Sequence, residues 1–152
     1  MTRPNILFIM TDQQSRHMMS CAGNPHLNTP ALDSLARDGI RFEKAYCSNP
    51  VCTPSRVSMV TGMMSCRLGA DDNGVCDDGL KFSEEVLDSA IGNVMKGAGY
   101  DTFYGGKTHL FTPLEPLNAG FDEYFRDERE ALPAACVDFI QREREKPFFA
   151  VA

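Results

Sequence analysis

The run Ile6-Leu7-Phe8-Ile9-Met10 is apolar without a break and passes directly into Thr11-Asp12-Gln13-Gln14. An unbroken apolar stretch of this length is the pattern of a strand covered on both faces, as in parallel α/β sheets. It puts Asp12 and Gln13 at the strand's carboxyl end, the edge where open α/β sheets gather ligand and catalytic groups. A second run, Phe148-Phe149-Ala150-Val151-Ala152, predicts another buried strand, in which the chain stops. That abrupt end leads to the expectation of a fragment. Between the two runs strand and helix patterns alternate, which predicts an α/β fold.

The intervening elements follow from local chemistry. Thr29 and Pro30 supply an N-cap and a first-turn proline for a helix with Ala31, Leu32, Leu35 and Ala36 on one face, ended by Gly39. Residues 40–46 alternate apolar and polar, apart from Lys44, and predict a strand broken by Asn49-Pro50. Pro54 opens a helix through Val57, Met59 and Val60 to Gly62. Residues 65–82 have no period, and Asp71-Asp72-Asn73-Gly74 and Asp77-Asp78-Gly79 mark a loop. Ser83 then caps the best amphipathic pattern, in which Val86, Leu87, Ala90, Ile91, Val94, Met95 and Ala98 share a face. Glu84 and Glu85 in its first turn and Lys96 in its last suit the helix dipole. Residues 100–104 predict a strand that runs into Gly105-Gly106-Lys107-Thr108-His109. After a proline-rich loop, Leu132, Ala135, Cys136, Phe139 and Ile140 predict a helix that stops before Pro147.

Charge and composition narrow the function. The 152 residues are one domain's worth of chain, long enough to bury a core. A net charge of −6 argues against nucleic acid as a partner, because neutralising phosphates needs a basic face. An anionic small substrate stays compatible with it, since a local cationic pocket can sit in an acidic protein. No stretch approaches the ~20 apolar residues that span a bilayer, so no membrane partner is expected. Residues 6–10 meet polar residues rather than a small-residue cleavage site, so a cytoplasmic location is expected. None of the six cysteines forms a Cys-x-x-Cys pair, which argues against a zinc site of the usual spacing.

The informative segment is Cys52-Thr53-Pro54-Ser55-Arg56. A proline at a first helical position puts the residues before it at a helix N-terminus, where free N–H groups favour an anion. An arginine one turn in can neutralise and orient a tetrahedral oxyanion. In such a place the expectation for Cys52 is a reactive thiolate or a group made from cysteine; the plain alternative is a small buried hydrophobe.

Cys-x-Pro-Ser-Arg resembles the signature of the sulfatase family, in which this cysteine is oxidised to formylglycine. The resemblance continues upstream in Thr29-Pro30-Ala31-Leu32-Asp33-Ser34-Leu35-Ala36-Arg37-Asp38-Gly39. Downstream it includes Ser58-Met59-Val60-Thr61-Gly62 and Gly106-Lys107-Thr108-His109-Leu110, in the family's order. It implies an alkaline-phosphatase-like α/β sandwich, with a large, mostly parallel central sheet and helices on both faces. Residues 1–152 would form the N-terminal portion of its catalytic domain.

The resemblance also implies a mechanism. The hydrated aldehyde made from Cys52 attacks sulfur, and its second hydroxyl then expels sulfate, which a thiol cannot do. The implied metal is calcium, with magnesium as the other hard cation, held by Asp12, Gln13 and the group derived from Cys52. Many relatives carry two aspartates where this chain has Asp12-Gln13. Arg56 matches the residue that braces the formylglycine, His109 one that contacts its hydroxyl, and Lys107 a sulfate-binding cation. Asn73 matches a residue near the active site of some bacterial relatives; as a bare residue it is a turn former. Met63-Met64-Ser65-Cys66 departs from the family's Arg-Tyr-Pro-His-like stretch. The implied partners are a small-molecule or saccharide sulfate ester and, during maturation, a formylglycine-generating enzyme. Two other readings stand beside this one: a phosphonate monoester or phosphodiester hydrolase of the same superfamily, and an inactive fragment with half a metal site.

Overall fold

The computed structural model describes residues 3–74, 80–126 and 129–152; Cys76 and the predicted Asp77-Asp78-Gly79 turn lie outside the described residues. The chain divides into two compact units, Met1–Met10 with Cys47–Ala152, and Thr11–Tyr46.

The larger unit is built on four strands, β1 (Ile6–Phe8), β2 (Asp101–Gly105), β3 (Glu123–Phe125) and β4 (Phe148–Val151). They form one sheet in the order β1-β4-β2-β3, and every pairing is parallel. Of the five α-helices among the described residues, α1 (Pro30–Asp38) belongs to the smaller unit. The larger unit holds α2 (Cys52–Thr61), α3 (Glu84–Asp88), α4 (Ile91–Gly97) and α5 (Leu132–Gln141).

Strand β4 shows how the sheet is covered. Successive side chains point to opposite faces, so Phe148 and Ala150 join Phe103 and Phe139 of α5 in one cluster. Phe149 and Val151 join Tyr104, Phe121 and the α2 residues Val57 and Val60 in the other. Both runs that predicted strands do form them, but only β4 is buried along its whole length. In β1, Leu7 is 45% and Phe8 42% exposed, contrary to the expectation of cover on both faces. Among the described residues β4 lies between β1 and β2, whereas β1 has β4 as its one neighbour.

Four other expectations change. The amphipathic pattern after Ser83 forms two helices, α3 and α4, instead of one. Ser83 does cap α3, accepting from the Val86 N–H. The break comes at Ser89, whose hydroxyl donates to the Val86 carbonyl at 2.8 Å, while the Asn93 amide donates to the Leu87 carbonyl at 2.9 Å. Those side chains replace helix N–H groups, and Ser and Asn compete with the ladder in this way. Strand β3 was hidden in the proline-rich loop, since three residues carry no period; pairing with β2 creates it.

Helix α4 packs closely enough to require a glycine. A Cβ on Gly92 would lie 2.4 Å from the Ala119 carbonyl oxygen and 2.8 Å from Phe121. Gly92→Ala is therefore expected to destabilise by about 1–3 kcal/mol, the range for overpacking, despite alanine's better helix propensity. Thermal unfolding measures it, and an unchanged or raised Tm would contradict this packing.

In the smaller unit α1 begins where expected, at Pro30 after Thr29, but the Thr29 hydroxyl does not cap the helix. It accepts from the Ser20 N–H at 3.0 Å and donates to Asp33 at 3.1 Å. Asp33 also accepts from the Ser20 hydroxyl and the Cys21 N–H, and these bonds, Ser20's foremost, hold its carboxyl below the usual range. Asp33 in the upstream motif is thus a local organiser of the segment around residue 20. Residues 40–46 form no strand; Ile40, Phe42 and Tyr46 are exposed and no ladder partner pairs with them among the described residues. Alternation alone does not make a strand when nothing supplies its hydrogen bonds.

Candidate active site

Cys52 is the first residue of α2, preceded by Val51 as the N-cap in extended conformation. Pro54 therefore stands in the third helical position and not the first, as the sequence reading had it. The first-turn N–H groups have no intrahelical partner, so the proline's missing donor costs nothing there. The first backward bond comes one residue later, from the Ser55 N–H to the Val51 carbonyl at 3.0 Å. The thiol of Cys52 is half-buried at this end of the helix, where unsatisfied N–H groups and the dipole favour negative charge. The next N–H, of Thr53, donates to the Asn73 side-chain oxygen at 3.0 Å. Asn73 is thereby more than a turn former: it holds the loop against the first turn of α2.

The second part of the site follows β2. In a parallel sheet the carboxyl ends of all strands share one edge, and the segment 105–109 leaves β2 there. Two glycines shape this turn. A Cβ on Gly105 would meet a Leu132 methyl of α5 at 2.5 Å, and Gly106 has a φ of +83°, which favours a residue without Cβ. The Gly106 N–H donates to the Phe125 carbonyl at 2.9 Å, tying the turn to the end of β3.

Arg56 joins these two parts. It is 5% exposed, and its Nη1 donates to the Lys107 carbonyl at 2.6 Å and to the Tyr104 hydroxyl at 3.4 Å. The Tyr104 hydroxyl itself donates to the same carbonyl at 2.9 Å. Burial pushes the Tyr104 phenol above its ordinary pKa although the Arg56 charge opposes this, so it remains a neutral donor. One guanidinium, a turn into the helix that Cys52 starts, thus fixes the backbone that carries Lys107 and His109. Its Nη1 is directed to the Lys107 carbonyl and the Tyr104 hydroxyl. Tyr104 was not singled out from the sequence. Its position as the last aromatic of a strand, just before Gly105-Gly106-Lys107, was the available signal.

His109 has a φ of +47°, a conformation uncommon for residues other than glycine and one that collects at functional sites. Its Nδ1 is buried and has no hydrogen-bond partner among the described residues. A buried, unpaired imidazole nitrogen is costly, and it marks a place where a further polar group belongs. The neighbouring Thr108 hydroxyl donates to Glu115 at 2.9 Å, which fixes the far side of the turn.

Of the seven residues singled out by sequence, the larger unit thus connects Cys52, Asn73, Arg56, Lys107 and His109 through backbone and hydrogen bonds. Asp12 and Gln13 lie in the smaller unit, both exposed, with Gln13 at a φ of +55°. Their oxygens have the hardness calcium prefers, but that ion takes about 6–8 oxygen ligands. Among the described residues no group of three or more His, Cys, Asp or Glu side chains could hold a metal. The two residues fit part of a calcium set and do not complete one.

Comparisons with known proteins bear on this arrangement. The Sulfatase family model matches residues 4–152. The uncharacterized sulfatase YidJ of Escherichia coli is 44% identical over 110 residues, covering 72% of this chain and 21% of that protein. A protein solved in complex with its substrate, D-glucosamine-2-N,6-O-disulfate, is 28% identical with a TM-score of 0.79, over 99% of this chain and 34% of that one. The phosphonate monoester hydrolase of Agrobacterium radiobacter shares the fold, with a TM-score of 0.70 at 18% identity, over 98% of this chain and 40% of that one. The chain therefore spans between about a fifth and two-fifths of the lengths of these proteins.

Proposed function

Since the chain belongs to the sulfatase family, with an alkaline-phosphatase-like arrangement of parallel strands and helices, we propose that its full-length protein hydrolyses sulfate esters. In this reading residues 1–152 are the N-terminal portion of the catalytic domain, and Cys52 becomes the nucleophile after conversion to formylglycine. The observation that carries it is the bond from Arg56 to the Lys107 carbonyl, which couples the start of α2 to the Lys107–His109 turn. A cation, an imidazole and a helix N-terminus held on one framework suit a tetrahedral anion.

The residues divide the work as follows. Lys107 binds sulfate oxygens and stabilises charge there. His109 holds or moves a proton at the nucleophile's hydroxyl, using a ring whose Nδ1 has no partner among the described residues. Arg56 and Asn73 keep the helix start and its loop in place. When present, formylglycine supplies the second hydroxyl that a thiol lacks, and calcium (or magnesium) supplies Lewis acidity. A sulfated saccharide is the substrate class proposed, supported by the sulfated glucosamine bound by the structural relative. The test is release of sulfate from an aryl sulfate and from a 6-O-sulfated glucosamine by full-length protein co-produced with a formylglycine-generating enzyme. Complete conversion of Cys52 with no sulfate released from either would overturn the proposal.

Asp12 and Gln13 are proposed as calcium ligands. Asp12→Ala in the full-length enzyme is expected to lose most activity and most of the rise in Tm that calcium produces. Gln13→Ala is expected to be milder, because a neutral amide contributes less than a carboxylate to a hard cation. Equal calcium-induced shifts in wild type and Asp12→Ala would place the metal elsewhere.

A further inference from the structure

We infer that Tyr104 is a positioning residue for the reaction, acting on Lys107 and His109 through the Lys107 carbonyl; its catalytic consequence rests on the function proposed above. The Lys107 carbonyl oxygen has two lone pairs, and two buried donors fill them, the Tyr104 hydroxyl at 2.9 Å and Arg56 Nη1 at 2.6 Å. Tyr104 is 1% exposed, so water cannot stand in for its hydroxyl. It also accepts from Arg56 at 3.4 Å, which makes a closed triangle of phenol, guanidinium and carbonyl.

The ring is fixed independently of the hydroxyl. It packs edge-on against Phe121 at 5.3 Å and against Tyr124 at 6.0 Å between ring centres. The turn is held on its other sides by the Phe125 carbonyl and by Leu132 against Gly105 and Gly106. Those contacts grip residues 105 and 106. Beyond them the pair of bonds to the Lys107 carbonyl holds the backbone, and after it the chain takes the strained φ of +47° at His109. A strained backbone persists where its surroundings over-determine it, and the triangle is placed to do so. Arg56 also reaches from α2, so a loosened triangle would let the turn drift relative to Cys52.

Tyr104→Phe removes the oxygen and keeps the ring. In full-length enzyme it is expected to leave Tm within a few degrees and to speed amide hydrogen exchange in a peptide spanning residues 105–111. Exchange in peptides from α4 and β4 should not change. On an aryl sulfate, kcat/KM is expected to fall roughly tenfold, the weight of about one buried hydrogen bond, with the loss mainly in kcat. Phe121→Leu serves as the control: it disturbs the ring packing and retains the hydroxyl, so Tm should fall while exchange in 105–111 keeps its wild-type rate. Unchanged exchange in that peptide in Tyr104→Phe would overturn the inference whatever the activity. Faster exchange there supports it even if wild-type enzyme releases no sulfate, an outcome that would instead remove the proposed function.

Discussion

Cys52→Ala in the converted, full-length enzyme is expected to abolish turnover of an aryl sulfate, by roughly 10⁴-fold or more, as loss of a covalent nucleophile does. The fold should survive. Cys52 is half-buried at the first position of α2, and alanine suits that position as well as cysteine does. A Tm close to wild type would therefore accompany the loss and separate chemistry from stability. In wild-type enzyme the tryptic peptide carrying residue 52 should lose one sulfur and two hydrogens and gain one oxygen on conversion. Unconverted wild-type protein should be nearly as inactive as the alanine variant, because a thiol offers no second hydroxyl. Normal turnover by Cys52→Ala would end the formylglycine reading.

The second large effect is expected at Lys107. A sulfate monoester carries one negative charge, and charge builds on the bridging oxygen as the ester bond breaks. A fixed ammonium at the sulfate oxygens stabilises that development, and removing one such group typically costs about 2–4 kcal/mol of transition-state binding. Lys107→Ala should lower kcat/KM for an aryl sulfate accordingly. Its carbonyl, held by Arg56 and Tyr104, belongs to the backbone, so the substitution removes the cation and leaves the turn in place. His109→Ala should slow turnover and change its pH profile. The informative comparison pairs an aryl sulfate with an aryl phosphonate of the same leaving group, because a phosphonate monoester hydrolase shares this fold. A strong preference for the phosphonate, with both rates untouched in Lys107→Ala, would move the protein to that chemistry.

Much of the scaffold was legible because it rests on local pattern. The runs at residues 6–10 and 148–152 form strands, and α1, α2 and α5 fall where their apolar faces repeat. The errors share a cause. Residues 40–46 alternate like a strand but lack a pairing partner among the described residues, β3 has no pattern but gains one from β2, and Ser89 and Asn93 split a periodic helix through side-chain bonds. In each case hydrogen bonding outside the pattern decided the outcome.

The sequence by itself determined which groups are available: a cysteine ahead of Pro54 and Arg56, and a lysine and histidine after two glycines at the end of a strand. Those are covalent facts of residue type and spacing, and helix and strand periodicity suffices to place them at element ends. Tertiary structure decided what holds them to one another. The bond from Arg56 to Lys107 spans 51 residues and that from Thr53 to Asn73 spans 20. Tyr104 enters only because it shares a core cluster with Val57 and Val60 of α2, so that its hydroxyl meets the guanidinium at a carbonyl neither residue's local sequence specifies. Such contacts depend on how elements far apart in the chain are brought together, and that is a property of the fold rather than of any window of the chain.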